Sequence, residues 1–282
     1  MSDEADGAVD AVPDGLLVEA VRAANQMAKA GGRRVDTPIR KTFVRNLDDE
    51  GRPPMAKVYA GGRSGVVALK VYLALVWRST KAPHTSTLPA RGLATLLGLP
   101  DPEGKGTRRV KAALRRLEDH NLITLTPQTG HPALVTLLDE SGDGREYEVP
   151  STGYARRDGK RTVPRDELLR QRYFKVDSRL WLSGKMQKLS GPALVMLLIL
   201  LAEQAGDGKE VWFSTTAFHD RYGIAPRTRA VGTTELLKAG LLTIEKRSLA
   251  ANMYSSTFDP RRTRTAYRLF GEALLQPNVP SW

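Results

Sequence analysis

The stretch "TRRVKAALRRLEDHNLITL" (107–125) decides the fold, because it joins an amphipathic helix, a helix end and the start of a strand. At 100° per residue, Ala113, Leu114 and Leu117 fall within about 60° of Val110 and form one apolar stripe. The basic side chains point away from this stripe. Asn121 tolerates the left-handed conformation that ends many helices, and "LITL" then alternates like a strand. The stretch predicts a core-anchored helix with a basic outer face, followed by a strand.

The same pattern returns as "RTRAVGTTELLKAGLLTI" (227–244), where Gly240 stands 119 positions after Asn121. Two further segments precede each copy in the same order. The first is a long apolar helix, "SGVVALKVYLALVW" (64–77) or "SGPALVMLLILLAE" (190–203), the second led by Ser190 as a candidate N-cap. The next is a short helix, "TLPARGLATLLGL" (87–99) or "FSTTAFHDRYGI" (213–224), that stops at Gly98 or Gly223. This order indicates an internal repeat.

A β-hairpin is predicted after the third helix of each copy. In the first copy it runs from "LITLTP" through a glycine-containing turn to "ALVTLL" (133–138). In the second it joins "LLTIEKR" (241–247) to "RTAYRLF" (264–270). The order of three helices and a hairpin, carried by "VKAALRRLEDHNLITL" and by "ELLKAGLLTIEKR" with "RRTRTAYRLF", resembles the winged-helix DNA-binding superfamily twice over.

The resemblance implies an α+β fold, mainly α, with two tandem winged helix-turn-helix domains, at residues 62–138 and 175–271. Outside them we expect an acidic disordered tail (1–12), an N-terminal helix and connector (13–61), an exposed charged linker (139–174) and a C-terminal tail (272–282). Within the connector, "PDGLLVEAVRAANQMAKAGG" (13–32) predicts an amphipathic helix that docks on the first domain or pairs with its copy in a dimer.

The charge of the chain favours a polyanionic partner. The formal net charge is +12, and because residues 1–21 carry six carboxylates and no Lys or Arg, the remainder carries +18. The longest apolar run, residues 193–202, is about half of the roughly 20 residues that cross a bilayer, so it predicts a buried helix and no membrane partner. The N-terminus lacks a signal peptide pattern and cysteine is absent, which favours a cytoplasmic protein. The resemblance further implies a bacterial, nucleoid-associated protein.

No pattern in the sequence predicts a catalytic site, a metal site or a cofactor, and we do not expect an enzyme. "GLPDPEGKGT" (98–107) is close to a phosphate-binding loop, but five residues separate Gly98 from Gly104 where that loop requires four. Gly106 also replaces the hydroxyl residue expected after Lys105. The four histidines are scattered without the paired spacing of zinc ligands.

The candidate DNA-binding residues follow from the repeat and its resemblance. In the first recognition helix, Arg108 and Arg115 are candidates for base edges and Arg109 and Arg116 for phosphates, with Lys111 also outward. In the second helix the preferred register turns Ala230, Thr233 and Leu237 to the core. Its candidate contacts are Arg227, Thr228 and Arg229. The charge of the second copy has moved to the hairpin, whose candidate contacts are Lys246, Arg247, Arg261, Arg262 and Arg264. The alternative for both basic surfaces is a solvated face without a ligand.

The expected function is site-specific binding of double-stranded DNA, with transcriptional regulation as the leading role, because winged-helix domains most often serve it. The alternative is a replication initiator of a plasmid or mobile element, since those proteins also resemble tandem winged helices. A regulator that forms a homodimer should protect an inverted repeat, whereas an initiator should protect direct repeats at an origin.

Overall fold

The computed structural model describes residues 12–31, 35–46, 51–60, 62–79, 81–158, 164–204, 209–214, 217–248 and 263–274. These residues form α-helices and small antiparallel sheets, which confirms the predicted α+β class. Within the same ranges, each helix is too short or too polar to cross a membrane. The acidic tail predicted for residues 1–12 and the C-terminal tail predicted for 272–282 lie almost entirely outside the described residues.

The first half of the chain contains one three-stranded sheet. Its elements are α1 (Asp14–Ala30), β1 (Asp36–Arg40), α2 (Pro54–Tyr59), α3 (Arg63–Arg78), β2 (Thr85–Ser86), α4 (Ala90–Leu96), α5 (Lys105–Asp119), β3 (Ile123–Gln128) and β4 (His131–Leu137). The sheet has the order β2-β4-β3 and is antiparallel throughout. We refer to α3 through β4 as the first unit.

The second half repeats this order with different loops. Its elements are α6 (Pro150–Asp158), α7 (Arg165–Arg170), β5 (Tyr173–Asp177), α8 (Arg179–Leu182), α9 (Lys185–Lys188), α10 (Gly191–Glu203), α11 (Ala217–Tyr222), α12 (Pro226–Lys238), β6 (Leu242–Ser248) and β7 (Thr263–Leu269). Strands β6 and β7 form the hairpin, and an isolated bridge joins Val211 to Tyr267 of β7. Val211 thus occupies the place that β2 has in the first sheet. We refer to α10 through β7 as the second unit.

The predicted helix ends are confirmed. Gly98, Asn121, Gly223 and Gly240 all have positive φ, between 54° and 66°. Ser190 caps α10, since its hydroxyl oxygen accepts a hydrogen bond of 3.2 Å from the amide of Ala193. Local residue preferences therefore set the boundaries of these helices.

The two units share one hydrophobic core. Helix α10 is buried from Ala193 to Ala202, as its apolar sequence predicts, and it packs against α3. A two-stranded antiparallel ribbon, β1 with β5, lies beside both long helices and pairs Asp36 with Asp177 and Arg40 with Tyr173. Strand β1 thus precedes α3, and strand β5 precedes α10. The repeat extends further upstream than the sequence analysis predicted.

Helix α1 confirms the predicted amphipathic segment. Ala20 and Ala24 are fully buried, and the helix packs on α4 of the first unit and on α8. Leu17 and Val21 lie close to Gly184, at the turn between α8 and α9. The helix therefore docks within the chain, the first of the two alternatives that the sequence left open.

The prediction of an exposed linker at 139–174 is wrong in part. Asp139 and Glu140 are buried, α6 and α7 lie within the segment, and Arg40 of β1 binds both carboxylates. The polar composition suggested a solvated segment, but a buried arginine about a hundred residues earlier in the chain pairs with both carboxyl groups. Composition alone could not indicate that pairing.

Candidate nucleic-acid interface

Helix α5 presents a basic face to solvent while its other face is anchored in the core. Val110, Ala113 and Leu117 are almost fully buried, as the stripe predicted. Four of the five predicted contact residues are exposed: Arg108, Arg109, Lys111 and Arg115. The helix is fixed by its apolar stripe, so the basic side chains are held on a rigid support.

The start of α5 is fixed by Asp101, in the segment that sequence analysis compared with a phosphate-binding loop. Its carboxylate accepts hydrogen bonds from the backbone amides of Lys105 (2.8 Å) and Gly104 (3.0 Å). These bonds lower the pKa of Asp101 below its usual value. The carboxylate binds the free amides at the start of the helix, just before Arg108.

Arg116 does not belong to the exposed face, contrary to the prediction. It is partly buried, and its Nη2 donates a hydrogen bond of 3.1 Å to the backbone oxygen of Lys57 in α2. This contact ties the C-terminal half of α5 to the segment before α3. Arg116 therefore has a structural role, and the exposed row of α5 consists of the other four residues.

The hairpin that follows α5 is nearly uncharged. The amide of Leu125 donates to Glu118 Oε1 at 2.8 Å, which links the first strand of the hairpin to the end of α5. Strands β3 and β4 contain no Lys, Arg, Asp or Glu, and His131 is their one titratable side chain. In the first unit, the positive charge therefore lies on the helix.

The register of α12 differs from the one that the sequence favoured. Gly232 and Leu236 are buried, whereas Ala230 and Leu237 are exposed and only Thr233 faces inward as expected. A Cβ at position 232 would lie 2.2 Å from the carbonyl oxygen of Pro192, so only glycine allows α12 to approach α10 so closely. Glycine is unfavourable in the middle of a helix, so its presence at position 232 indicates that close packing requires it. This glycine was the signal in the sequence that could have identified the packed face of α12.

Two of the three predicted contacts on α12 are engaged within the protein. Nη2 of Arg229 donates to the hydroxyl of Tyr267 at 3.0 Å, and its guanidinium carbon lies 4.5 Å from the ring centre of Phe218. Thr228 is half-buried and interacts with the side chain of Tyr59, whose pKa is raised by burial. Arg229 and Thr228 are therefore corrected to packing residues, and Arg227 remains as the exposed basic residue of this group.

The β6–β7 hairpin carries the positive charge of the second unit. Lys246, Arg247 and Arg264 are exposed, and β6 places Arg247 directly opposite Arg264. Arg247 pairs with Glu210 at 2.5 Å, and its hydrogen bonds hold the pKa of that carboxyl below its usual value. The predicted contacts Arg261 and Arg262 lie outside the described residues.

Trp212 is a candidate interface residue that sequence analysis missed. Its side chain is 57% exposed, and the guanidinium carbon of Arg264 lies 5.4 Å from its ring centre. The neighbouring Val211 is fixed by two backbone hydrogen bonds to Tyr267, so the indole projects from an ordered position. The available signal in the sequence was a tryptophan within the short polar-flanked segment "EVWFS" (210–214), in the copy whose predicted hairpin is basic.

The chain matches no protein-family model, no curated protein and no solved structure. Its function is inferred from its own residues.

Proposed function

We propose that this chain is a site-specific double-stranded DNA-binding protein with two winged-helix units, and that its leading role is transcriptional regulation. The observation that carries the proposal is the exposed row of Arg108, Lys111 and Arg115 on a helix whose opposite face is buried. A rigid basic helix of this kind has the dimensions to enter a major groove about 12 Å wide.

The order of elements supports the winged-helix assignment. The first unit runs helix, strand, helix, helix and hairpin, with the short strand β2 paired to β4 of the hairpin. The second unit has the same order, with Val211 bridged to β7 in place of the short strand. In this arrangement the third helix, α5 or α12, is the recognition helix, and the hairpin is the wing.

In the first unit, α5 performs the recognition. Arg108 and Arg115 are seven residues apart, which separates them by about 10 Å along the helix and about 20° around it. Both guanidinium groups can therefore reach base edges on the same side of the helix, where arginine binds guanine through two hydrogen bonds. Lys111 lies between them, and Arg109 contacts phosphate at the edge of the groove.

In the second unit, the hairpin makes most of the contacts. Lys246 and Arg264 bind phosphates, and Trp212 packs against the sugar-phosphate backbone beside them. Helix α12 offers a nearly neutral outer face, with Arg227 at its start and Val231 and Leu237 further along. The second unit thus adds affinity, while α5 supplies most of the discrimination between sequences.

A replication initiator is the second candidate function, and one observation favours it. The two units share a continuous hydrophobic core, so a single chain presents two helix-and-hairpin surfaces without forming a dimer. Footprinting on the DNA that flanks its own gene separates the roles. Protection of one inverted repeat indicates a regulator, whereas protection of an array of direct repeats indicates an initiator and refutes the regulator.

The proposal is tested by the double variant Arg108→Ala/Arg115→Ala. A duplex is first selected from a random library by the wild-type protein, and affinities for it and for a scrambled duplex are measured by fluorescence anisotropy. Each lost bidentate contact is worth about 1–3 kcal/mol, so the preference for the selected duplex should fall at least tenfold.

The matched control is Arg22→Ala/Lys29→Ala, which removes two exposed charges from α1. It should keep the preference for the selected duplex. An unchanged preference in the α5 variant would show that this helix does not distinguish bases, and the proposed recognition would be wrong.

A further inference from the structure

A second basic site is formed by residues that belong neither to α5 nor to the β6–β7 hairpin. It is a cavity of about 180 Å³, bordered by the ribbon strand β1, the segments that precede α2 and β5, and the loop after β4. Six of its lining residues are cationic: Arg40, Arg45, Arg52, Lys57, Arg145 and Arg170. Asp139 is the carboxylate among the residues that line it. The cavity therefore has an excess of positive charge.

The floor of the cavity is a hydrogen-bonded cluster around one buried arginine. Arg40 is 1% exposed, forms a short contact with Glu140 and lies 3.4 Å from Asp139 Oδ2. Its Nη2 also donates to the backbone oxygen of Glu148 (2.8 Å) and to the side chain of Gln171 (3.0 Å). Arg40 faces two carboxylates with one positive charge, and burial raises the pKa of Glu140 to about 7, so this cluster offsets at most one charge of the rim.

Two donors in the wall have no acceptor among the described residues. Arg45 Nη1 pairs with Glu203 at 3.1 Å, but Arg45 Nε is buried without a hydrogen-bond partner. The hydroxyl of Thr42, which also lines the cavity, is buried and unpartnered. Buried donors are rarely left unsatisfied, so this wall holds unused hydrogen-bonding capacity next to the cavity.

The rim adds exposed charge at the entrance. Arg52, Lys57, Arg145 and Arg170 are exposed, and Arg145 also pairs with Asp143 at 2.5 Å. Arginine binds phosphate through two parallel hydrogen bonds, and lysine binds it as a point charge. The cavity holds the volume of about six water molecules in the liquid, which admits a small anion but excludes a duplex.

The position of the cavity separates it from the turn of the first hairpin. Asp139 follows the end of β4 at Leu137, whereas the turn of the hairpin lies between Gln128 and His131. A strand of seven residues spans about 20 Å, so the cavity and the turn lie at opposite ends of the hairpin.

We propose that this cavity binds a small phosphate-bearing anion, of the size of inorganic pyrophosphate, as a ligand distinct from DNA. The segment that lines it also joins the two units. Arg45 pairs with Glu203 of α10, and the amide of Asn46 donates to the backbone oxygen of Arg221 at 3.3 Å. An anion bound in this cavity is therefore held next to the contact between the segment before α2 and the second unit.

Isothermal titration with sodium pyrophosphate at constant ionic strength tests the proposal. The wild-type protein should bind one equivalent saturably, and sodium chloride should give no saturable heat. Arg52→Gln/Lys57→Gln removes two rim charges without touching a buried side chain, and its affinity should fall at least tenfold. The control Arg22→Gln/Lys29→Gln removes the same charge from α1 and should bind like the wild type.

Three outcomes would overturn the proposal. They are no saturable binding by the wild-type protein, an equal loss in the two double variants, and unchanged binding in Arg52→Gln/Lys57→Gln. DNA affinity is measured on the same proteins and should stay within twofold of the wild type. If the rim variant loses affinity for DNA and keeps its affinity for pyrophosphate, these residues contact DNA backbone and the separate anion site is refuted.

Discussion

Replacing Lys70 by methionine should stabilise the protein at neutral pH and remove part of its pH dependence. Lys70 lies in the middle of α3, is 7% exposed, and has one direct hydrogen bond, a 2.8 Å contact from Nζ to the backbone oxygen of Gln187. Burial lowers its pKa to about 7, and the nearby Arg109 guanidinium adds to the effect. A cationic amine in this position is therefore unfavourable in the folded state.

The size of the effect follows from the difference between the two pKa values. The pKa of Lys70 falls from 10.5 in the unfolded chain to about 7 in the folded protein. Because each pKa unit corresponds to about 1.4 kcal/mol, folding destabilises the charged amine by about 5 kcal/mol relative to the neutral amine. Methionine avoids this loss but leaves the oxygen of Gln187 without its donor, which costs about 1–3 kcal/mol. The net gain in unfolding free energy at pH 7 is therefore about 2–4 kcal/mol.

The sign of the pH dependence distinguishes this explanation from simple repacking. Because the folded pKa is depressed, the stabilisation of the neutral amine is fully present above pH 10.5 and is lost as the pH falls toward 7. Between pH 7 and pH 10.5, the unfolding free energy of the wild-type protein should rise by about 1.4 kcal/mol per pH unit relative to that of Lys70→Met. Urea denaturation at pH 7, 8 and 9, followed by circular dichroism, measures the difference. Parallel stability curves for the two proteins would refute a buried lysine with a depressed pKa.

Two substitutions test the corrected packing of the second unit. Gly232→Ala places a methyl group against the carbonyl of Pro192 and should destabilise the protein by about 1–3 kcal/mol in urea denaturation, whereas equal stability would reject the close approach of α12 to α10. Arg229→Met removes an enclosed guanidinium and should lower the unfolding free energy by about 1–3 kcal/mol while keeping DNA affinity within twofold. A selective loss of DNA affinity in Arg229→Met would return this residue to the interface.

Local preferences explain what the sequence predicted well. The left-handed residues Gly98, Asn121, Gly223 and Gly240 and the cap at Ser190 depend on a few neighbouring residues, and all five were identified in advance. The apolar stripe of α5 was also predicted correctly, because a strong helical period has only one consistent register.

Long-range contacts explain what could not be predicted. The pattern of α12 fits two registers, and the choice depends on the contact between Gly232 and α10, which is not visible in the pattern itself. Arg108 and Arg229 each lie in the first turn of the third helix of their unit. Arg108 is exposed, whereas Arg229 is surrounded by aromatic rings from outside its own helix. The burial of Asp139 and Glu140 likewise depends on Arg40, far away in the sequence.

The most direct test of the central claim is affinity cleavage of DNA from α5. The chain contains no cysteine, so Ala112→Cys introduces one unique thiol on the exposed face of this helix, between the basic side chains and without removing any of them. The thiol is labelled with an iron chelate that cleaves nearby DNA, and the same label at Ala30→Cys of α1 is the control. With the selected duplex, the account predicts cuts confined to a few adjacent nucleotides on the two strands that border one major groove, and no localised cuts from the control. Absent or evenly distributed cleavage from Ala112→Cys, in a complex that still binds the duplex, would contradict recognition by α5.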